Sequence, residues 1–275
     1  MPLFTVDTES CTQDGLCRME CPAGLVEMDP ESGFPKPIPD AEKYCISCGH
    51  CVAVCPVGAL SHRDMSPQDC HEVQTQWQLS PERVEHFLRS RRSIRSYKEK
   101  NVEQEVLERL IRVASFAPSG HNRQPVRWLV IHSRESVLEL AAKVVDWMRY
   151  MINEGHPLAQ DMQLPRVVAA WEAGYDPICR TAPHVVVAHG EQKDPTVPAA
   201  CTIALSYLEL AASSFGLGAC WGGFFSAAAQ YWPEMQKALD LPQGHACFGA
   251  MLLGYPAVKY QRLPLRKQPQ ITWRD

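Results

Sequence analysis

Residues 45–56 read CISCGHCVAVCP, four cysteines at spacings of two, two and three residues, closed by a proline. Thiolates at these intervals let one loop wrap three corners of an iron–sulfur cubane, with a fourth cysteine, Cys55, expected to start a helix and Pro56 to lead the chain away. A zinc knuckle or a group of plain buried cysteines is the competing reading, and four cysteines followed by proline at this spacing favour the cluster. An earlier run, residues 11–22, reads CTQDGLCRMECP and fits the same template with one change: Asp14 stands where the second cysteine belongs. A carboxylate oxygen binds iron more weakly than a thiolate. The first site is therefore open to three states: an Asp14-ligated 4Fe–4S cluster, a 3Fe–4S cluster with that corner empty, or one that interconverts. Asp14-Gly15 is also a turn signal, which would leave the carboxylate facing solvent.

The two runs resemble those of the two-cluster bacterial ferredoxins, over roughly residues 3–62. The resemblance implies a crossing of ligands, in which Cys11, Cys17 and Cys55, with Asp14 at the fourth corner, hold one cluster, and Cys21 joins Cys45, Cys48 and Cys51 on the other. It also implies one-electron transfer at low potential.

Composition agrees with a redox protein and excludes other classes. Eight of the 12 cysteines fall in the first seventy residues. The start, MPLFTVDTESC, lacks a basic region followed by an apolar one, so a disulfide-stapled secreted scaffold is not expected, and a cytoplasmic location is. A net charge of −4 gives no reason to expect nucleic acid or a polybasic membrane anchor, and no run approaches 18 uninterrupted apolar residues. Residues 1–62 carry nine acidic and three basic groups, whereas the remainder is nearly neutral. The polar stretch 63–79 reads as a linker, so the expected division is a ferredoxin-like domain at 1–62, the linker, and a second domain at 80–275.

The second domain mixes periodicities. Ser80-Pro81 reads as a helix start, Asn101 as the cap of another helix, 135–152 and 197–215 as helices, and 128–131, 184–188 and 246–253 as strands. Without strict alternation of strand and helix, the fold class expected is α+β.

Four segments carry a further resemblance. Arg91-Arg92-Ser93-Ile94-Arg95 places three guanidinium groups and a hydroxyl in five residues, a set suited to a phosphate. Pro118-Ser119-Gly120-His121-Asn122-Arg123-Gln124 is a polar loop before a strand. Residues 216–224, GLGACWGGF, put glycines where a backbone could approach a ligand closely. Arg262, Arg266 and Lys267 form a basic cluster near the C-terminus. Each alone has an ordinary reading as a solvated helix end, a turn, a helix cap or a tail. Their order over 80–275 resembles the nitroreductase family.

That resemblance implies FMN held at Arg91, Arg92, Ser93 and Arg95, at Trp221, Gly222 and Gly223, and at Arg262, Arg266 and Lys267. Pro118, Ser119, Gly120, Asn122 and Gln124 would reach over the flavin from the partner subunit of a homodimer. The two domains together lead us to expect electron transfer between clusters and FMN and a nitroaromatic, quinone or similar small-molecule acceptor, with NAD(P)H and an external ferredoxin both open as donor. No G-x-G-x-x-G follows a strand, so a nicotinamide donor would have to stack on the flavin itself. The less regular segment 151–180 would cover the flavin and set substrate choice. An electron carrier or redox sensor without enzymatic activity, and an FMN enzyme of the same fold with another reaction such as reductive dehalogenation, are the alternatives. His121, His156, His184 and His189 show no ligand spacing, and Cys179, Cys201, Cys220 and Cys247 read as small buried hydrophobes.

Overall fold

The structure, a computed structural model, describes residues 2–275. It divides into two compact units, one of residues 2–79 with 121–123, the other of 80–120 with 124–275.

The first unit is built from short pieces: β1 (Phe4–Val6), α1 (Leu16–Met19), β2 (Val26–Met28), β3 (Pro35–Pro37), α2 (Ala41–Tyr44), α3 (His50–Ala53) and β4 (Leu60–His62). β1 pairs antiparallel with β4, and β2 with β3. The small core is Leu3, Phe4, Leu25, Val26, Ala41, Val52 and Leu60, with Cys17. The unit repeats itself at an offset of 34 residues. Gly15 and Gly49 precede α1 and α3 with φ of 72° and 73°, and Gly24 and Gly58 both adopt 64°. These left-handed positions favour glycine and turn the chain sharply inside each cysteine run and again just beyond it. Cys21 and Cys55 lie just beyond α1 and α3 rather than at the start of a helix. The polar stretch 63–79 is not featureless. It carries two short 3-10 turns, at Pro67–Asp69 and Thr75–Trp77.

The second unit contains α4 (Pro81–Ser90), α5 (Gln104–Ala114), β5 (Arg127–Ile131), α6 (Arg134–Asn153), α7 (Pro157–Asp161), α8 (Leu164–Glu172), β6 (His184–Glu191), α9 (Val197–Ala212), β7 (Gly218–Trp221), α10 (Gly223–Tyr231), α11 (Pro233–Leu239) and β8 (His245–Gly254). Four strands form one antiparallel sheet in the order β5-β6-β8-β7. Successive residues on β6 and β8 face opposite sides. Val185, Val187, Ala250 and Leu252 join α6, α8 and α10 in one core, whereas Val186, Ala188, Met251 and Leu253 join α5 and α9 in the other. A sheet covered on both faces explains why β6 reads as a continuous apolar run. The same position explains α9. Residues 197–215 are long and apolar enough to cross a membrane by length and composition, but α9 packs along this sheet.

Helix α4 starts as its sequence requires, with the Ser80 hydroxyl accepting from the Arg83 N–H. Asn101 does not cap α5. Glu103 occupies that place, and the Val102 N–H is used by the buried His184 Nε2 at 2.8 Å. The segment 151–180, expected to be irregular, is largely helical through the end of α6 and through α7 and α8.

Candidate functional site

The first unit brings its ligand residues into two sets. One cavity is lined by Cys11, Asp14, Cys17 and Cys55, the other by Cys21, Cys45, Cys48 and Cys51. Each set takes three residues from one run and one from the other, as the ferredoxin resemblance implies. No three His, Cys, Asp or Glu side chains among the described residues converge closely enough to hold a single metal ion. Four ligand residues around each of two cavities are the number a cubane takes. Burial pushes the Cys51 thiol to about 11, with Cys48 and Cys21 nearby, and raises Cys17 beside Cys11 and Cys55.

The sites are alike in one contact and unlike in others. Cys21 Sγ accepts the Leu25 N–H and Cys55 Sγ the Ala59 N–H, both at 3.2 Å. The carboxylate of Asp14 is already engaged within its own turn. One oxygen accepts the Leu16 N–H at 3.0 Å, the other the Thr12 hydroxyl at 2.9 Å. The Cys45–Cys48 loop is held from outside. The Asn122 side-chain amide donates to the carbonyls of Ile46 and Ser47 at 3.3 and 3.0 Å, and the Ser47 hydroxyl donates to Asp64 at 2.7 Å. Asn122, expected at the flavin, thus has its amide on the carbonyls of this loop.

In the second unit, residues 91–97 run beside β7 and the start of the tail. The Ile94 N–H donates to Ala219 O at 2.9 Å, and Ala257 N–H to Ser96 O at 2.9 Å. Gly218 makes this closeness possible, since a Cβ there would lie 2.5 Å from Ile94. Arg91 donates to Glu209 at 2.9 Å and reaches the Ser93 hydroxyl at 3.5 Å. Trp221 Nε1 donates to the other oxygen of Glu209 at 3.2 Å. Arg92 lies over the Tyr260 ring at 5.3 Å, and its Nε is buried without a hydrogen-bond partner. Arg95 is exposed, and so are Arg262, Arg266 and Lys267, in a stretch without regular structure. Gly222 spends its N–H on Ala250 O, whereas Gly223 is exposed, with open space where a Cβ would be, and is the first residue of α10. The first N–H groups of a helix lack internal partners and suit an acceptor atom or an anion.

Pro118, Ser119 and Gln124 line a different cavity, with Trp128, Ala200 and Ala204. The Ser119 hydroxyl accepts the Gln124 N–H at 2.9 Å. Gly120 sits against Thr196, where a Cβ would be 3.2 Å from the Thr196 methyl. This cavity meets α9 at Ala200 and Ala204, while Arg91 and Trp221 meet it at Glu209. At 1.5 Å per residue the two places are about 10 Å apart along the helix.

Sequence reading missed Glu209, Tyr260 and His62. Glu209 left a signal, being the one charged residue in α9. The unpaired Arg92 Nε beside the Tyr260 ring is of a kind that suits a phosphate, and the exposed start of α10 at Gly223 is of a kind that suits an acceptor atom.

Residues 88–255 match the nitroreductase family, and residues 10–59 match the 4Fe-4S dicluster domain. The chain belongs to the nitroreductase family of FMN oxidoreductases, and its N-terminal segment is a two-cluster ferredoxin domain. It is 26% identical over 170 residues to an Archaeoglobus fulgidus protein named NADH dehydrogenase/NAD(P)H nitroreductase, covering 62% of this chain and 83% of that one. The N-terminal part is 36% identical over 66 residues to Ferredoxin 7Fe of Hydrogenibacillus schlegelii, 23% of this chain and 78% of that one. A deiodinase, Iodotyrosine deiodinase 1 of Pongo abelii, is 25% identical over 73% of this chain and 79% of its own. Among solved structures, a nitroreductase with bound FMN from Bacteroides fragilis superposes with a TM-score of 0.59 at 22% identity, over 70% of this chain and 98% of that one, which supports the fold.

Proposed function

We propose that this chain uses FMN to reduce nitroaromatic, quinone or similar small acceptors, with electrons passing between its two iron–sulfur clusters and the flavin. The observation that carries the reading is the presence, in one chain, of two four-ligand cluster sites and a nitroreductase-type fold. When bound, FMN supplies conversion between two-electron and one-electron transfer, and the clusters carry single electrons.

The protein's own residues bind and orient. Arg92 offers its unpaired Nε to the flavin phosphate, with Ser93, Arg95, Arg262, Arg266 and Lys267 as further polar groups there. Arg91 and Trp221 are fixed by Glu209. Gly223, more than Gly222, presents a backbone N–H to the ring edge. Pro118, Ser119, Gly120 and Gln124 serve the partner's flavin in a homodimer, which the distance along α9 between their cavity and Glu209 supports. Helices α7 and α8 cover the flavin face and set acceptor choice. The first cluster site holds a 3Fe–4S cluster on Cys11, Cys17 and Cys55, because Asp14 is engaged elsewhere, and the second a 4Fe–4S cluster. NAD(P)H or an external ferredoxin is the donor. Thiolate-held clusters of this kind suit a reducing, cytoplasmic setting.

The test is anaerobic purification with iron, sulfide and FMN counted per chain, followed by turnover of dithionite-reduced protein with nitroaromatics and quinones. Absence of bound flavin after reconstitution with excess FMN would leave only the electron-carrier reading. Flavin without turnover of either acceptor would end the nitroreductase assignment. Reductive dehalogenation is the second reading, supported by the likeness to the deiodinase, and release of halide from halogenated phenols under the same conditions distinguishes it.

A further inference from the structure

The two cluster sites repeat at an offset of 34 residues, so each residue of one has a counterpart in the other. Seven residues after Cys21 stands Met28, and seven after Cys55 stands His62. Both line their respective cavities, Met28 beside Cys11 and His62 beside Cys45. A thioether has no hydrogen to give, whereas an imidazole does.

His62 closes β4, opposite Phe4, and only 2% of its side chain is exposed. Its Nδ1 lies 3.1 Å from the Asp64 N–H and accepts it. That nitrogen carries no hydrogen, so the ring proton sits on Nε2, which lies 3.5 Å from Cys45 Sγ. The Asp64 carboxylate lies 3.6 Å from Nδ1, beyond hydrogen-bond distance, and accepts the Ser47 hydroxyl at 2.7 Å. The imidazole is therefore held at its far edge, and its remaining N–H is aimed at a cluster ligand.

We propose that His62 donates a hydrogen bond from Nε2 to the Cys45 thiolate and thereby raises the reduction potential of the second cluster. This rests on the reading that Cys21, Cys45, Cys48 and Cys51 hold a cluster. Reduction adds negative charge that spreads onto the thiolates, and a buried N–H dipole aimed at one of them stabilises the reduced form more than the oxidised one. The backbone N–H bonds to Cys21 and Cys55 are matched and do not distinguish the sites. His62 does, and the first site has Met28 in its place. His62 is a positioning residue that acts through Cys45.

The test is an EPR-monitored redox titration of the full chain, purified anaerobically, with iron counted in wild type, His62→Phe and His62→Gln. The expected result is a lowered midpoint for one cluster signal in His62→Phe, an unmoved midpoint for the other, and recovery of at least half the shift in His62→Gln, which keeps an N–H. Wild-type midpoints in a fully iron-loaded His62→Phe protein would overturn the proposal. So would equal shifts at both clusters, or a His62→Gln shift as large as that of His62→Phe. If His62→Phe loses iron, wild-type protein with histidine labelled by 15N in the ring decides the matter. A 15N coupling on the reduced second-cluster signal in pulsed EPR supports the proposal, and its absence overturns it. A wild-type chain that binds no iron there would instead mark failure of the cluster reading itself.

Discussion

Arg91 and Glu209 form an ion pair at 2.9 Å whose carboxylate is almost enclosed, with 9% of the Glu209 side chain exposed and 27% of that of Arg91. The second oxygen of Glu209 takes the Trp221 indole N–H. Removing one member of such a pair leaves the other with unmet desolvation cost. Glu209→Ala should lower the stability of the second unit by about 2 kcal/mol. Urea denaturation followed by tryptophan fluorescence measures this, since all the tryptophans except Trp77 lie in that unit. An unchanged urea midpoint would mean that the pair contributes nothing.

Arg92 carries the second prediction. Arg92→Ala should weaken FMN binding by about 10- to 100-fold, the worth of one or two charge-assisted hydrogen bonds. Arg92→Lys should recover little, because a point charge cannot replace the guanidinium fork. Quenching of flavin fluorescence on titration gives both constants. An alanine variant that binds FMN as tightly as wild type would remove Arg92 from the phosphate site.

Gly218 tests the packing beneath that site. A methyl there meets Ile94 at 2.5 Å, so Gly218→Ala should destabilise by about 1–3 kcal/mol through overpacking. Adding Ile94→Ala should return part of that loss. Additive losses in the double variant would place the strain elsewhere.

A pH dependence follows from His184. Burial, with His132 stacked against it, lowers its pKa from 6.5 to about 4. The unfolded chain therefore binds a proton that the folded chain refuses between those values. Stability from this group is complete above pH 6.5 and declines as pH falls towards 4, by on the order of 3 kcal/mol. His184→Gln should be less stable at pH 7 and should lose less between pH 7 and 4.5. Tryptophan-monitored urea midpoints at the two pH values decide it, and parallel declines in both proteins would refute the assignment.

The cluster sites give the last prediction. Asp14→Cys should raise the iron content from about seven to about eight per chain, completing four thiolates at the first site. Cys55→Ser should damage the first cluster and spare the second, although Cys55 belongs to the second run. Iron analysis with EPR reads both. Unchanged iron on adding the cysteine would argue that the carboxylate already holds a fourth iron.

The sequence carried the two groups of four residues that line the first unit's cavities, because their types and spacing are distinctive and each run is local. It carried the sheet strands because β6 and β8 are buried on both faces and so read as apolar runs. It misplaced the α5 cap because the competition was tertiary: the Val102 N–H belongs to His184, eighty-two residues away. Segment 151–180 looked irregular because proline and glycine weigh heavily in a local reading. Pro157 and Pro165 instead sit in the first turns of α7 and α8, where a missing N–H costs nothing. Asn122 could not be placed from the sequence, since its partners are the carbonyls of Ile46 and Ser47, and carbonyl positions leave no trace in residue type.

The crossed ligand sets also order events during synthesis. The second set spans Cys21 to Cys51 and lies wholly inside the span of the first, Cys11 to Cys55. A chain emerging from the ribosome therefore completes the inner site first, and the outer one only four residues later. Neither can be filled from a single run, so cluster insertion has to wait for both. Both Cys11 and Cys17 remain without their remote partner until residue 55 is made.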